Sequence, residues 1–351
     1  MIRFHDLTLE QFIQWCQERG EKSFRAEQVW EWVYQKGVSD WALMTNLSKE
    51  FRSLLEQSFQ LKSLRLDSQE ISKDQQTVKF LWKLEDGKFV ESVLILAPGR
   101  KTVCVSSQVG CPARCAFCAS GKEGLMRNLT AVEIFEQVYQ IQIEIQEKVS
   151  HIVFMGMGEP LENYDEVVKA LKMLCDENRL HFSERKITVS TVGVVEGIHK
   201  LAQESFKVNL ALSLHAPNQH VRKKIIPYAR KYDLSLVLEA MRQYAATTKR
   251  DITYEYTLLA GINDHAEHAM ELAKLVQGDP CTVNLIPYNP VDGINLERPE
   301  REQIEEFREI LEAKGIVTTW RYTKGKDIAA ACGQLALKKK SESDLHVLPM
   351  L

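Results

Sequence analysis

The chain has 351 residues, of which 45 are lysine or arginine, 48 are aspartate or glutamate and eight are cysteine. Its composition of 44% hydrophobic and 26% charged residues is typical of a folded domain and excludes global disorder. Its net charge of −3 excludes a uniformly basic nucleic-acid coat protein but permits a local basic surface. No apolar run approaches the roughly 20 residues of a membrane helix, and the start carries no secretory signal, so we expect a cytoplasmic protein. In that compartment we expect the cysteines to be metal ligands, reactive thiols or core residues rather than a disulfide framework.

Residues 1–65 are predicted to form a small helical domain. Thr8 and Gln11 have the spacing of a capping box, and Ser23 begins a second helical run that Gly37 ends. Four tryptophans in this segment could stack on nucleic-acid bases, but a small helical core is the favoured interpretation. They are Trp15, Trp30, Trp32 and Trp41.

Residues 66–98 are predicted to form a β-hairpin that links this domain to the rest of the chain. Apolar and polar residues alternate over 77–84, and residues 85–88 carry a turn signal. Residues 89–96 then return as a second strand.

Strands and helices alternate over residues 99–322. The strands are predicted at 101–107, 151–156, 186–192, 208–214, 252–259, 281–288 and 316–322. The helices between them are predicted at 131–148, 163–178, 195–204, 235–248, 264–276 and 299–314. Six βα units predict an α/β fold with a parallel sheet, either open or curled into a partial barrel. The remaining residues, 323–351, are predicted to be a loop followed by a polar tail.

Segments that carry polar or glycine residues lie at the ends of five of these strands. Because ligands bind at the carboxyl ends of parallel strands, these residues predict one binding site. They are Cys111, Cys115 and Cys118 after the first strand, Gly158 and Glu159 after the second, Ser190 in the third, Ser213, Leu214 and His215 after the fourth, and Asn289 after the sixth.

The three cysteines at 111, 115 and 118 can converge on one metal centre. Zinc is one possibility, with Cys104 as a fourth ligand, although this spacing is not usual for a zinc ribbon. The other is an iron–sulfur cube with one iron left open to chelate the amino and carboxylate groups of a small molecule.

The remaining candidates have structural alternatives. Gly158 permits close backbone approach to a ligand and Glu159 could accept from an ammonium group, but both also fit an ordinary turn. A turn role equally fits Asn289. Cys332 precedes a glycine in a small-residue loop, where a structural role is favoured over an accessible thiol. The other cysteines are expected in the core; they are Cys16, Cys175 and Cys281.

The spacing Cys111-x3-Cys115-x2-Cys118 resembles the cluster motif of the radical S-adenosylmethionine (SAM) superfamily. Further segments resemble the RlmN/Cfr family of RNA methyltransferases over nearly the whole chain; they are 104–111, 127–130, 154–161, 212–216, 284–290 and 331–335. The resemblance implies a partial (β/α)6 barrel and an RNA-binding role for the small N-terminal domain. Residues 109–112 and 158–161 look more like the branch that methylates adenine C2 in 23S rRNA and tRNA than the Cfr-type branch, which methylates C8.

The resemblance also implies roles for individual residues. The three clustered cysteines would hold a [4Fe-4S] cluster, and Gly158, Glu159, Ser190, Ser213, Leu214, His215 and Asn289 would contact SAM. Cys332 would be S-methylated by a first SAM and then activated by a 5′-deoxyadenosyl radical from a second. Glu91 would accept the C2 proton, and Cys104 would form a transient disulfide with Cys332 that releases the product.

The implied partners are 23S rRNA, tRNA and an electron donor such as a flavodoxin or ferredoxin system, and a monomer is expected. Two basic segments could contact RNA phosphates. One holds Lys314, Arg321, Lys324, Lys326, Lys338, Lys339 and Lys340 against Asp327, and the other holds Arg222, Lys223, Lys224, Arg230 and Lys231. A distant alternative is a non-catalytic RNA-binding protein with structural zinc.

Overall fold

The computed structural model describes residues 1–320 and 324–335. Its N-terminal region contains helices α1 (Leu9–Gln17), α2 (Ser23–Tyr34) and α3 (Lys49–Ser58), with strand β1 (Ile2–Arg3) paired in parallel with β2 (Phe59–Gln60). The predicted capping box starts α1: the Gln11 amide donates to Thr8 Oγ1 at 3.2 Å, and the Thr8 amide donates to Gln11 Oε1 at 2.8 Å. Two otherwise unsatisfied amide groups are thereby paired.

The tryptophans of this region belong to its core, as the sequence predicted. Trp30 and Trp41 are buried, and both ring centroids lie 5.4 Å from that of Phe4. Trp15 and Trp32 are partly buried and pack against the same core. Aromatic packing therefore accounts for all four without stacked bases.

Buried polar contacts fix the N-terminal domain on the rest of the protein. Arg179 donates to the carbonyl groups of His5 and Leu7 at 2.8 and 2.6 Å. Trp30 Nε1 donates to the carbonyl of Asn178 at 2.6 Å. These hydrogen bonds, one buried and two partly buried, join the N-terminal domain to the loop that follows α5.

One sheet of ten strands organises the rest of the chain. Its strands are β3 (Arg65–Ile71), β4 (Thr77–Lys83), β5 (Phe89–Ala97), β6 (Arg100–Cys104), β9 (His151–Phe154), β10 (Ile187–Thr191), β11 (Asn209–Ser213), β12 (Ile252–Leu258), β13 (Cys281–Pro287) and β14 (Val317–Trp320). Two short strands, β7 (Gln108–Gly110) and β8 (Leu125–Asn128), lie between β6 and β9 in sequence. The helices of this region are α4 (Ala131–Ile145), α5 (Tyr164–Cys175), α6 (Val195–Gln203), α7 (Gln219–Ile225), α8 (Leu234–Thr248), α9 (Ala266–Val276) and α10 (Arg301–Ala313). Strands β7 and β8 pair only with each other.

The sheet order is β14-β13-β12-β11-β10-β9-β6-β5-β4-β3. Strands β6 and β9 to β14 are parallel. Strands β3, β4 and β5 extend the same sheet with antiparallel pairing. The predicted strands and helices of this region are confirmed, with ends displaced by a few residues, whereas α7, β3, β7 and β8 were not predicted. The end of the predicted strand 316–322 and the predicted polar tail after 335 lie outside the described residues. Within the described residues, no helix combines the length and apolar character needed to cross a membrane.

Candidate active site

A cavity of about 140 Å³ lies toward the carboxyl ends of five adjacent parallel strands. Strands β9 to β13 contribute Phe154, Ser190, Ser213, Glu255 and Ile286 to its wall. Neighbouring strands are about 4.8 Å apart, so a flat sheet would spread five of them over about 19 Å. The sheet therefore curves around this cavity, as a partial barrel requires.

Cys111, Cys115 and Cys118 line this first cavity together. Their loop is tied to α7, because the Ala116 amide donates to the carbonyl of Ile225 at 2.8 Å. Burial raises the pKa of the Cys111 thiol to about 12 and raises that of Cys115 well above its ordinary value. Without a metal these thiols would hold their protons, and metal binding would release them.

The arrangement of the three thiols fits an iron–sulfur cluster better than a single ion. No group of three His, Cys, Asp or Glu side chains within residues 1–320 and 324–335 is placed to hold one metal ion. A [4Fe-4S] cluster binds each thiolate through a different iron and so accepts more widely spaced ligands. Cys104, the fourth ligand of the zinc alternative, does not line this cavity.

Gly158 and Glu159 form the next part of the wall. Gly158 has φ +106°, and a Cβ there would lie 2.7 Å from Ser107 Oγ, so a side chain is excluded. The buried Glu159 carboxylate accepts from the amides of Val192 and Leu161 at 2.8 and 3.0 Å. Burial raises the pKa of Glu159 to about 7 despite these hydrogen bonds.

His215 presents a neutral ring to the cavity. Its Nδ1 accepts from the Thr257 amide at 2.9 Å, which leaves the proton on Nε2 as a donor. Burial lowers the pKa of His215 to about 3. The ring meets Phe117 edge-on, with centroids 4.9 Å apart.

The other predicted ligand contacts are also close together, with one exception. Ser190 Oγ and Ser213 Oγ are 3.3 Å apart, and both line the cavity with Asn289. Leu214 is fully buried and is not among the lining residues; its carbonyl accepts from Arg222 at 3.1 Å. Leu214 thus shapes the wall rather than facing the cavity.

Glu255 is a lining residue that the sequence analysis missed. It is buried, and Asn284 Nδ2 donates to its Oε2 at 2.7 Å. An acidic residue inside a strand of a parallel sheet is itself a signal, since both faces of such a sheet are normally apolar.

A second cavity of about 380 Å³ adjoins the first. Cys104 lines only the second cavity, whereas Cys332 lines both. The first cavity and the second also share Cys118, Met155 and Asn289. Cys332, which is exposed, therefore lies at their junction.

The segment around Cys332 is fixed by both neighbouring loops. Asn289 Nδ2 donates to the carbonyl of Cys332 at 3.2 Å. On the other side, the Ala119 amide donates to the carbonyl of Gly333 at 2.8 Å. Gln334 Nε2 donates to the carbonyl of Pro290 at 2.8 Å. Cys332 is thus held at the junction of the two cavities by hydrogen bonds of its own backbone and of the two residues that follow it.

The two cavities are lined by ionisable side chains of opposite type. Among the described residues, the first is lined by Glu159 and Glu255 and by no lysine or arginine. The described lining of the second contains Arg100 and Lys324 and no aspartate or glutamate. The first cavity therefore favours a cationic ligand and the second an anionic one.

Glu91 is away from the lining of both cavities. It is 2% exposed, and Lys79 Nζ lies 3.6 Å from its Oε1. It shares a face of β5 with Val93 and Ile95, which line the second cavity. The alternative of a solvated strand residue is thus wrong.

The predicted basic surface is only partly present. Arg222 is 1% exposed, so its assignment to a phosphate-binding surface is wrong. Lys223 lies 4.0 Å from Asp233, and Lys231 lies 3.2 Å from Glu162. Lys224, Arg230, Lys314 and Lys326 are exposed. Arg321, Lys338, Lys339 and Lys340 lie outside the described residues.

The remaining cysteines pack as expected. Cys16 is fully buried, and Cys175 and Cys281 are partly buried against the main core. Burial raises the pKa of all three thiols. They are therefore poor nucleophiles.

Comparison with known proteins assigns both parts of the chain. Residues 2–61 match the ribosomal RNA large subunit methyltransferase N-terminal domain, and residues 105–273 match the radical SAM superfamily. A relative from Protochlamydia amoebophila (strain UWE25), named probable dual-specificity RNA methyltransferase RlmN 2, is 57% identical over 351 residues, covering 99% of this chain and 98% of the relative.

Two further comparisons agree. A relative from Clostridium novyi (strain NT), named probable dual-specificity RNA methyltransferase RlmN, is 44% identical over 94% of this chain and 96% of the relative. The crystal structure of a radical SAM methyltransferase from Sphaerobacter thermophilus superposes with a TM-score of 0.91 at 42% identity, covering 95% of this chain and 99% of that one.

Proposed function

The chain belongs to the RlmN family of radical SAM RNA methyltransferases, and on this premise we propose that it methylates C2 of a specific adenine in 23S rRNA and in tRNAs. The observation that carries the proposal is the position of Cys332 between an acidic and a basic cavity. A group attached to its sulfur could be received from a ligand in one cavity and delivered to a ligand in the other.

The first cavity is proposed to bind SAM. The molecule carries a sulfonium and an ammonium group, which suit a wall containing Glu159 and Glu255. Cys111, Cys115 and Cys118 would hold a [4Fe-4S] cluster, whose reduced form supplies the electron that cleaves SAM to a 5′-deoxyadenosyl radical. Neutral His215 can donate from Nε2 without adding a positive charge.

The second cavity is proposed to receive the adenine, unstacked from its RNA. Apolar side chains suit the ring faces; they are Val93, Ile95, Val153, Met155 and Ile286. C2 lies between two ring nitrogens and is electron-poor, so it does not attack the methyl of SAM directly. A thiolate does, which is why Cys332 carries the methyl group.

Cys104 is proposed to release the product. Once the carbon on Cys332 is bonded to C2 and the C2 proton has left, the Cys104 thiolate attacks the sulfur of Cys332. The S–S bond forms as the S–C bond breaks, and the released carbon takes up a proton to become the methyl group. The one electron left over from the radical addition would return to the cluster, and an external thiol must then reduce the disulfide. Both cysteines line the same cavity, as this step requires.

Glu91 is proposed as the acceptor of the C2 proton. It does not line the second cavity itself, but it lies on the face of β5 that carries the lining residue Val93, so the proton would reach it past that side chain or through one water. Lys79 Nζ lies 3.6 Å from its Oε1. This assignment is tested by Glu91→Gln, which removes the base but keeps the shape. We expect Glu91→Gln to retain methylation of Cys332 and to accumulate RNA bound to it.

Anaerobic reconstitution tests the proposed function. The protein is supplied with iron, sulfide, SAM, a reductant and an rRNA fragment, and the modified nucleoside is identified by mass spectrometry. We expect 2-methyladenosine, two SAM consumed per product, and support from a flavodoxin or ferredoxin system. 8-Methyladenosine would instead assign Cfr-type regiochemistry. A colourless zinc protein without product would contradict the proposal.

We also propose that the enzyme works in the cytoplasm as a monomer.

A further inference from the structure

We propose that Arg100 and Lys324 form a clamp for the RNA phosphates that flank the target adenine. The inference rests on the proposed function and adds to it the residues that recognise the backbone of the substrate. Both side chains line the cavity that contains Cys104 and Cys332. A nucleotide bound there brings its phosphodiester groups with it.

Arg100 is positioned by the turn between β5 and β6. The turn consists of Pro98 and Gly99, whose φ of +68° allows Arg100 to pair with Ala97. Arg100 Nε donates to Thr102 Oγ1 at 3.1 Å. Thr102 lines the same cavity, so the guanidinium is anchored by one of its five N–H groups and the others remain for a ligand.

Lys324 reaches the same turn from the other end of the chain. Its Nζ donates to the carbonyl of Leu96 at 2.7 Å, and Leu96 directly precedes Ala97. One of its three N–H groups is used in this way. Two cations from distant parts of the sequence are thus anchored on the two strands that flank one β-turn.

Neither cation is held in an ion pair by the described part of the protein, although Asp74 is near enough to Lys324 for the two charges to interact. No carboxylate of residues 1–320 or 324–335 forms an ion pair with Arg100 or Lys324. Asp327, the acidic residue nearest to Lys324 in sequence, accepts from the Lys73 amide at 2.8 Å instead. Two like charges on one cavity wall repel each other, and an anion between them would relieve that repulsion.

The second cavity therefore combines an apolar wall for a base with paired cations for phosphate. A solvated lysine or arginine is common on protein surfaces. Here, however, both side chains are anchored through protein acceptors and share a cavity with Cys332. RNA is the phosphate ligand that the proposed reaction brings to this position.

The test measures how RNA binding by the reconstituted protein depends on salt. Each lost phosphate contact to a single-stranded segment should reduce the slope of log K against log salt concentration by about 0.7. We expect this reduction for Arg100→Gln and for Lys324→Gln, and about 1.4 for the double variant. Arg100→Lys and Lys324→Arg should keep the slope of the unmodified protein. Lys274→Gln, at an exposed lysine of α9 outside both cavities, should also leave it unchanged.

A second readout separates the clamp from the proposed function. Methylation of Cys332 by SAM without RNA, measured as a mass increase on the Cys332 peptide, should proceed normally in both glutamine variants. An unchanged salt slope in the double variant would overturn the inference, as would an equal loss in the conservative variants. If the unmodified protein neither methylates Cys332 nor modifies RNA, the proposed function itself fails, whatever the salt slopes.

Discussion

Asn289 Nδ2 donates a hydrogen bond of 3.2 Å to the carbonyl of Cys332. Asn289 follows β13, and both residues line both cavities. The wall of the SAM cavity therefore holds the backbone of the cysteine that is proposed to carry the methyl group.

Loss of this hydrogen bond should uncouple the reaction. A hydrogen bond contributes about 1 kcal/mol net, equivalent to about fivefold in an equilibrium. In Asn289→Ala we expect 5′-deoxyadenosine formed per RNA methylated to rise about fivefold, because Cys332 is held less precisely. Chromatographic quantification of both products measures this ratio, and an unchanged ratio would show that the contact does not position Cys332.

Cys332→Ala should abolish RNA methylation and leave cluster assembly intact. The thiol is the only proposed nucleophile toward SAM, whereas the cluster uses three other cysteines. Iron analysis should still find about four irons per chain. Cys281→Ala, in a cysteine that lines neither cavity, serves as the matched control and should stay active. Normal turnover by Cys332→Ala would refute the carrier role.

Cys104→Ala should trap the enzyme on its RNA. Without the second thiol the S–C bond to the base cannot be exchanged for an S–S bond. Denaturing gel electrophoresis should then show a covalent protein–RNA adduct that thiol reductants do not dissolve. Release of methylated RNA at the normal rate would count against Cys104 as the resolving residue.

Arg222 should contribute strongly to stability. Its buried guanidinium donates to the carbonyl groups of Val192, Ser213 and Leu214 at 2.6, 3.1 and 3.1 Å. Hydrogen bonds of charged groups contribute about 1.5–3 kcal/mol each. We expect Arg222→Met to lower the free energy of unfolding by about 3–5 kcal/mol in urea titrations. Lys223→Met, on the same helix, should change it by less than about 1 kcal/mol, and equal effects would contradict this account.

His5 should make the protein sensitive to mild acid. Burial lowers the pKa of His5 to about 3, against 6.5 for an exposed histidine. The unfolded chain therefore binds a proton that the folded protein excludes, and stability falls as the pH drops from 6.5 toward 3. Between pH 7 and 5.5 the free energy of unfolding should fall by about 1 kcal/mol more than in His5→Asn. Equal losses would mean that His5 is protonated in the folded protein.

Local sequence patterns predict much of this fold because its parallel strands are short apolar runs separated by amphipathic helices. The short elements around the cluster loop are harder to predict. Strand β7 has three residues and α7 has seven, so their stability comes from tertiary pairing rather than from local preference. Arg222 in a basic run suggests solvent contact, and only the fold reveals the carbonyl groups that surround it.

The candidate site, like the fold, is only partly predictable from the sequence. Motif spacing locates the cysteines and the glycine at 158, whose φ of +106° explains its identity. Glu255 and Arg100 belong to no motif, and the second cavity joins residues far apart in the chain. The opposite charges of the two cavities therefore emerge only from the three-dimensional structure.

A single-turnover labelling experiment tests the central claim, that Cys332 carries the methyl group between the two cavities. The enzyme is first methylated with SAM labelled with ¹³C at its methyl group and freed from that SAM. It is then given RNA, reductant and unlabelled SAM. We predict that the first methylated adenine formed contains ¹³C from Cys332. A first product carrying only unlabelled carbon would contradict the account.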